Sequence, residues 1–175
     1  MSKSWTIRRT TNSDIQAIFS LLCTSWLETY VNEDMGITRE FLLNIKIEQF
    51  TYNFYKNDCK YDHFTNTKDN LHLVAVDQND IVIGFLHCRR NKGEQELGGL
   101  YLFSEFKGTG LAQEFSDEFL EWEDTSFNTT LGVLKYNARA IKFYEKLGFV
   151  PNGVEYTINE KIPCIDMIKK NLKEK

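Results

Sequence analysis

The stretch EFKGTGLAQEF, residues 105–115, sets two glycines and a lysine between an apolar run and a helix-like segment. Glycines allow backbone amides to approach an anion closely, and the positive end of the helix that follows favours negative charge. Lys107 adds a positive side chain to the same loop. The stretch therefore predicts a binding site for a phosphate group.

The composition is that of a single globular domain, predicted over residues 1–175, since 42% of positions are hydrophobic and 26% are charged. No apolar run approaches the roughly 20 residues that span a bilayer, and the N-terminal segment does not resemble a secretory signal. We therefore expect a cytoplasmic protein that binds no membrane. The net charge of -4 disfavours nucleic-acid binding, which uses a basic face. The cysteines form no Cys-x-x-Cys pair, so we expect reduced side chains and no metal site: Cys23, Cys59, Cys88 and Cys164.

The N-terminal part predicts one strand and two helices. WTIRRTT, residues 5–11, has the composition of a strand, and the segment that follows repeats apolar residues at helical spacing up to Tyr30. Ser13 and Gln16 form a candidate capping box for this first helix. A second helix is predicted after Thr38, where one side collects Phe41, Leu42, Ile45, Phe50 and Phe54.

The rest of the chain predicts six further strands and two helices. LHLVAVDQNDIVIGFLHCRR contains two strands around a hairpin turn, and ELGGLYLF, residues 96–103, is a fourth strand. Gly98 and Gly99 inside it suit a β-bulge or a close backbone approach. A helix with an apolar stripe follows the glycine loop, and then come a strand, a short helix ended by Gly148, and a closing hairpin. The order is strand, two helices, three strands, helix, strand, helix, two strands.

Two motifs in this order resemble the GNAT superfamily of acyl-CoA-dependent N-acetyltransferases, over about residues 5–172. The phosphate loop of that family reads Gln or Arg, two variable residues, Gly, one variable residue, then Gly or Ala. It falls on residues 107–112, where Gly110 and Ala112 match and Lys107 departs from the usual first residue. NARAIKFYEKLGF, residues 137–149, resembles the family's helix motif that begins at Asn and carries Tyr, and Asn137 is a natural N-cap for this helix. The two motif regions are most similar to bacterial polyamine or PaiA-like small-molecule acetyltransferases.

The resemblance implies an α/β (α+β) fold of the GNAT acyl-CoA N-acyltransferase type. Its sheet is mixed and mostly antiparallel, with six or seven strands and about four helices, and it splays between strands four and five. Acetyl-CoA is implied as cosubstrate, without a metal. Backbone amides of the glycine loop would solvate its pyrophosphate, and the fourth strand would pair with its pantetheine arm. The implied cofactor-binding residues are Leu100, Tyr101, Leu102, Lys107, Gly108, Thr109, Gly110, Leu111, Ala112, Gln113, Asn137 and Tyr144.

Two residues are implied for the chemistry. Tyr144 would donate a proton to the departing CoA thiolate, because a phenol with a pKa near 10 stays protonated at neutral pH. Glu96, eleven residues before Lys107, would serve as general base. It is otherwise a substrate-binding or plain surface carboxylate, and many relatives use water chains instead. Strand alternation places Glu96 on the side of Leu100 and Leu102, unless a bulge between them reverses that relation.

The acceptor is expected to be a primary amine of a small molecule, attacking the thioester directly in a ternary complex. Trp26, Glu28 and Tyr30 are its predicted binding residues, since acidic and aromatic groups favour a cation such as a polyamine. Core aromatics and ordinary surface acids explain the same residues. A noncatalytic acyl-CoA sensor or interaction module and a protein N-terminal or lysine acetyltransferase are the alternative functions. The resemblance also allows a homodimer.

Overall fold

The computed structural model describes residues 4–51 and 67–171, and the elements follow the predicted order. Phe54, Cys59 and His63 lie outside these ranges, and the side chain of Phe50 is also outside the description. The strands are β1 (Trp5–Arg9), β2 (Asn70–Asp77), β3 (Val82–Asn91), β4 (Glu94–Leu102), β5 (Thr129–Leu134), β6 (Val150–Ile158) and β7 (Ile162–Lys169). The helices are α1 (Ile15–Thr29), α2 (Arg39–Thr51), α3 (Leu111–Trp122) and α4 (Ala138–Lys146).

The described strands form one seven-stranded sheet in the order β1-β2-β3-β4-β5-β7-β6. Every neighbouring pair is antiparallel except β4 and β5, which run parallel. These two strands pair only at Gln95 with Thr129 and at Glu96 with Thr130. Beyond those residues the strands separate, so the predicted mixed sheet and its splay between the fourth and fifth strands are both confirmed.

Helices cover both faces of the sheet. Helices α1 and α2 pack on one face, called the α1 face, where Trp26 and Leu42 meet Leu134 and Cys164. Helix α3 packs on the other, the α3 face, where its predicted apolar stripe is buried against Leu97, Leu131 and Met167. Each large side chain removed from water in these layers contributes about 1.5 to 3 kcal/mol. The two layers hold the separated ends of β4 and β5 between them.

The start of α2 agrees with the sequence prediction, and the start of α1 does not. Thr38 caps α2, because its Oγ1 accepts a hydrogen bond from the Phe41 amide at 3.1 Å. The predicted Ser13–Gln16 box is wrong. A 3-10 turn precedes α1, and the box is formed by Thr11 and Asp14, whose Oδ2 accepts from the Thr11 amide at 2.7 Å.

The bulge predicted at the paired glycines of β4 is present. His87 of β3 lies opposite Gly99 and Cys88 lies opposite Leu97, which leaves Gly98 as the extra residue. A Cβ on Gly98 would lie 2.2 Å from the His87 ring, so the backbone approaches this side chain as closely as only glycine permits. The bulge reverses the alternation of β4: Leu97 joins Leu102 in the α3 face, and Glu96 lies on the α1 face.

Candidate active site

The site begins with the gap that opens between β4 and β5. Residues 100–102 of β4 pair with β3 on one side, and no described strand pairs with them on the other. Across the gap, residues 131–134 of β5 pair with β7 and with no other strand of the described residues. Two backbone edges therefore face a slot into which an extended ligand with amide groups can pair as an added strand.

The glycine loop lies at the end of this slot, between β4 and α3. Gly108 and Gly110 adopt left-handed conformations, with φ of 89° and 101°, which favour glycine. Gly110 immediately precedes the first residue of α3, and a Cβ placed on it would have no atom within 4 Å. The first amides of α3 have no intrahelical acceptor. Bare backbone donors and the positive helix end thus meet in open space, as an anion site requires.

Two cationic side chains accompany the loop. The Lys107 Nζ lies 3.1 Å from Ser104 Oγ and 3.4 Å from Glu28 Oε2, so an acid of α1 holds it beside the loop. Arg139 comes from α4, and its Nη2 would lie 3.9 Å from a Cβ on Gly108. Sequence reasoning missed Arg139, although its position in the first turn of α4, just after the motif asparagine, is a signal that α4 approaches the loop.

The predicted N-cap of α4 is confirmed, and the helix that it begins carries Tyr144. Asn137 Oδ1 accepts a hydrogen bond from the Ala140 amide at 3.1 Å, which fixes the start of the helix. Two turns later, Tyr144 is buried against Phe149, with ring centroids 6.1 Å apart in an edge-to-face arrangement. Gly148 ends the helix at a φ of 92°.

The Tyr144 ring packs in the cluster that also holds Leu102 of β4 and Leu131 of β5, the two strands that border the gap. This ring belongs to the α3 face, whereas Tyr101 packs with the α1 face. Burial, followed by the neighbouring Tyr101 and Cys88, raises the pKa of Tyr144 well above its ordinary value of 10. Burial also raises the pKa of Tyr30, with smaller contributions from Tyr101 and Tyr144. The phenol of Tyr144 is therefore protonated and able to donate at neutral pH.

The three predicted acceptor residues lie in two places. Trp26 and Tyr30 stack on the α1 face with centroids 4.5 Å apart, but Trp26 is buried and the Lys46 ammonium already lies 3.4 Å from its ring centroid. Burial lowers the pKa of Lys46 to about 8. Glu28 instead lies at the glycine loop, in contact with Lys107.

Two carboxylates and a phenol lie on the α1 face of strands β4, β7 and β6. Glu96 forms an ion pair with Arg89 of the neighbouring strand. Asp166 of β7 lies opposite Gly132 of β5, and burial, followed by Glu96, raises the pKa of Asp166. Sequence reasoning missed Asp166 and its neighbour Tyr156. The available signal was one acid inside the otherwise apolar run IPCIDMI.

Within the described ranges, no three His, Cys, Asp or Glu side chains come together as metal ligands. None of the described helices is long and apolar enough to cross a membrane. The cysteines at 23, 88 and 164 are free, with the latter two buried.

Comparison with known proteins matches the chain to a family model and to a curated relative. A family model described as an acetyltransferase (GNAT) domain matches residues 27–171. A prophage-derived uncharacterized N-acetyltransferase of Bacillus subtilis is 32% identical over 96 residues, which cover 49% of this chain and 51% of the relative. The chain thus spans about half the length of the curated relative it matches.

Solved structures share the fold at low sequence identity. The PaiA N-acetyltransferase of Thermoplasma acidophilum, determined in complex with coenzyme A, has a TM-score of 0.73 at 20% identity, covering 96% of this chain and 99% of that one. The spermidine/spermine N-acetyltransferase SpeG of Vibrio cholerae has a TM-score of 0.56 at 19% identity, covering 94% and 91%.

Proposed function

Because this chain belongs to the GNAT acetyltransferase family, we propose that it transfers an acetyl group from acetyl-CoA to a primary amine of a small molecule, by direct attack in a ternary complex. The observation that carries this proposal is the gap between β4 and β5, with the glycine loop at its end and the Tyr144 phenol beside it. The phosphate, amide and thioester groups of acetyl-CoA would each meet a matching protein group along this gap.

Acetyl-CoA supplies the activated acyl group. The amides of residues 108–112 solvate its pyrophosphate, with Lys107 and Arg139 as flanking cations. The backbone of residues 100–102 pairs with the pantetheine arm. Asn137 fixes the start of α4 and thereby the position of Tyr144. The remaining proposed cofactor contacts come from the first turn of α3, through Leu111, Ala112 and Gln113.

Tyr144 supplies the proton-donating group. Its phenol keeps its proton at neutral pH and hydrogen-bonds the sulfur, so that the departing thiolate receives a proton as the carbon–sulfur bond breaks. The amine must lose a proton before or during attack, and Glu96 on the α1 face is the proposed base. Its ion pair with Arg89 holds the carboxylate in place. A backbone amide near Leu102 polarises the carbonyl.

A polyamine is the proposed acceptor. The proposed acceptor residues are Trp26 and Tyr30, which stack on the α1 face, and Glu28, which lies beside the glycine loop. The solved neighbours include a spermidine/spermine N-acetyltransferase, which agrees with an acceptor of this class. Approach of the acceptor from the α1 face would bring its nitrogen to the thioester from the side opposite α3.

The test measures free thiol released from acetyl-CoA by the wild-type protein with a panel of polyamines, amino acids, aminoglycosides and peptide N-termini. Amine-dependent release is expected, and Tyr144→Phe lowers it by roughly 10²- to 10⁴-fold, about 3 to 5.5 kcal/mol, while the Kd of CoA changes little. Tight CoA binding without release by any amine identifies a sensor instead. Release that favours peptides over small amines identifies a protein acetyltransferase.

A further inference from the structure

Asp166 is a partly buried acid without a side-chain partner. Asp14, Glu96 and Glu123 each form an ion pair with a cationic side chain. Within residues 4–51 and 67–171, the carboxylates of Asp166 and Asp69 have neither an ion pair nor a hydrogen bond, and Asp166 is the one that lies on the strand next to β5. It lies on the α1 face of β7, two residues from the buried Cys164. A carboxylate without a counter-charge is available to pair with a cationic ligand.

A phenol lies beside Asp166. The strand neighbour Gly132 is exposed and has no side chain. A Cβ on Gly132 would lie 2.1 Å from Tyr156 Oη and 3.9 Å from Asp166 Oδ1, so the phenol fills the space above the bare backbone and lies next to the carboxylate oxygen. Any other residue at position 132 would displace the phenol. The phenol of Tyr156 and the carboxylate of Asp166 offer oxygen atoms to one small polar group.

The identity of the group follows from charge and position. Two oxygen acceptors, one of them anionic, suit an ammonium and repel a phosphate or carboxylate. Asp166 lies on β7 and Glu96 on β4, on the same face and on either side of β5, so their strands are about 10 Å apart. An acceptor with two amines separated by a few methylenes can reach both places at once.

We propose that Asp166, assisted by Tyr156, binds the second, unreacting ammonium of the acceptor and thereby makes the enzyme select diamines over monoamines. This inference rests on the proposed function, since it assigns a substrate class to the same site. The reacting nitrogen must be neutral when it attacks and therefore cannot use a permanent ion pair. The second nitrogen stays charged throughout, and the ion pair with Asp166 anchors it.

The experiment compares 1,4-diaminobutane with n-butylamine as acceptors, using thiol release at pH 8. The wild-type protein should prefer the diamine. Asp166→Asn should reduce kcat/KM for the diamine by roughly 10- to 100-fold, mainly through KM, with a smaller loss for butylamine. Tyr156→Phe should lower it less, and Asp166→Glu should restore part of the preference. Glu121→Gln, at an exposed acid on α3, is the control and should change neither rate.

Equal use of both amines by the wild-type protein, or an undiminished diamine preference in Asp166→Asn, overturns the inference while leaving the proposed function intact. Failure of the proposed function is distinguishable, because it appears as no thiol release with any amine. In that case, calorimetry with 1,4-diaminobutane and CoA-loaded protein decides. Binding by the wild type that is weakened in Asp166→Asn supports the ammonium site, and equal or absent binding in the two proteins refutes it.

Discussion

Gly98→Ala tests the bulge of β4, because it adds one methyl group where Gly98 closely approaches His87. Alanine at position 98 would place its Cβ 2.2 Å from Cε1 and 2.6 Å from Nδ1 of the ring, more than 1 Å inside ordinary contact. The ring cannot withdraw freely, since it stacks on the buried Phe85 with centroids 5.5 Å apart. Overpacking of this kind costs about 1 to 3 kcal/mol. For a chain of this length, Tm should fall by roughly 2 to 12 °C.

The assay is thermal unfolding of Gly98→Ala in the wild-type background and in a His87→Ala background. Removing the ring makes room for the methyl group, so alanine at position 98 should cost little in the second background. The coupling between the two changes should exceed about 1 kcal/mol. Equal Tm shifts in both backgrounds would refute the reasoning, because the cost of alanine would then not come from the ring.

Three further predictions concern the charged groups around the gap. Arg139→Gln should raise the Kd of CoA about 5- to 10-fold, measured by calorimetry at low salt. Lys142→Gln, at an exposed residue of the same helix, is the control. Equal Kd values for the wild type and Arg139→Gln would exclude Arg139 from phosphate binding. The pKa of Lys46 is lowered to about 8. Between pH 8 and about 10 the unfolded chain therefore binds more protons than the folded one. As pH rises through this range, the group adds up to about 3 kcal/mol to the free energy of unfolding. Denaturant unfolding should show that rise reduced in Lys46→Met, and identical pH profiles would contradict it. Glu96→Gln should remove only the acidic limb of the pH–rate profile, whereas an unaltered profile would exclude Glu96 as base.

Local patterns predicted those parts of the fold that depend on neighbouring residues. The cap at Asn137 and the stop at Gly148 follow from a helical repeat bounded by a capping residue and a glycine. The paired glycines of β4 predicted a bulge or a close backbone approach, because glycine is otherwise costly inside a strand, and both are present. The first capping box was misplaced because several cap-forming residues follow one another there, and the 3-10 turn that decides between them depends on Arg8 holding Asp14.

The site was predicted less fully, because its contacts join residues far apart in the chain. Nothing in the sequence around Glu28 indicates that it contacts Lys107, or that Lys46 covers the ring of Trp26. Both pairings depend on how α1 and α2 pack on the sheet. The relation of Asp166 to Gly132 likewise requires the register of β5 and β7. The separation of β4 and β5 was expected from family resemblance rather than from any residue pattern.

The most direct measurement is a crystal structure of the protein with coenzyme A bound. The account predicts the pantetheine arm between β4 and β5, the pyrophosphate on the amides of the glycine loop, and the sulfur within hydrogen-bonding distance of Tyr144 Oη. Strands β4 and β5 closed against each other, or coenzyme A bound at another surface with Tyr144 distant from its sulfur, would contradict it.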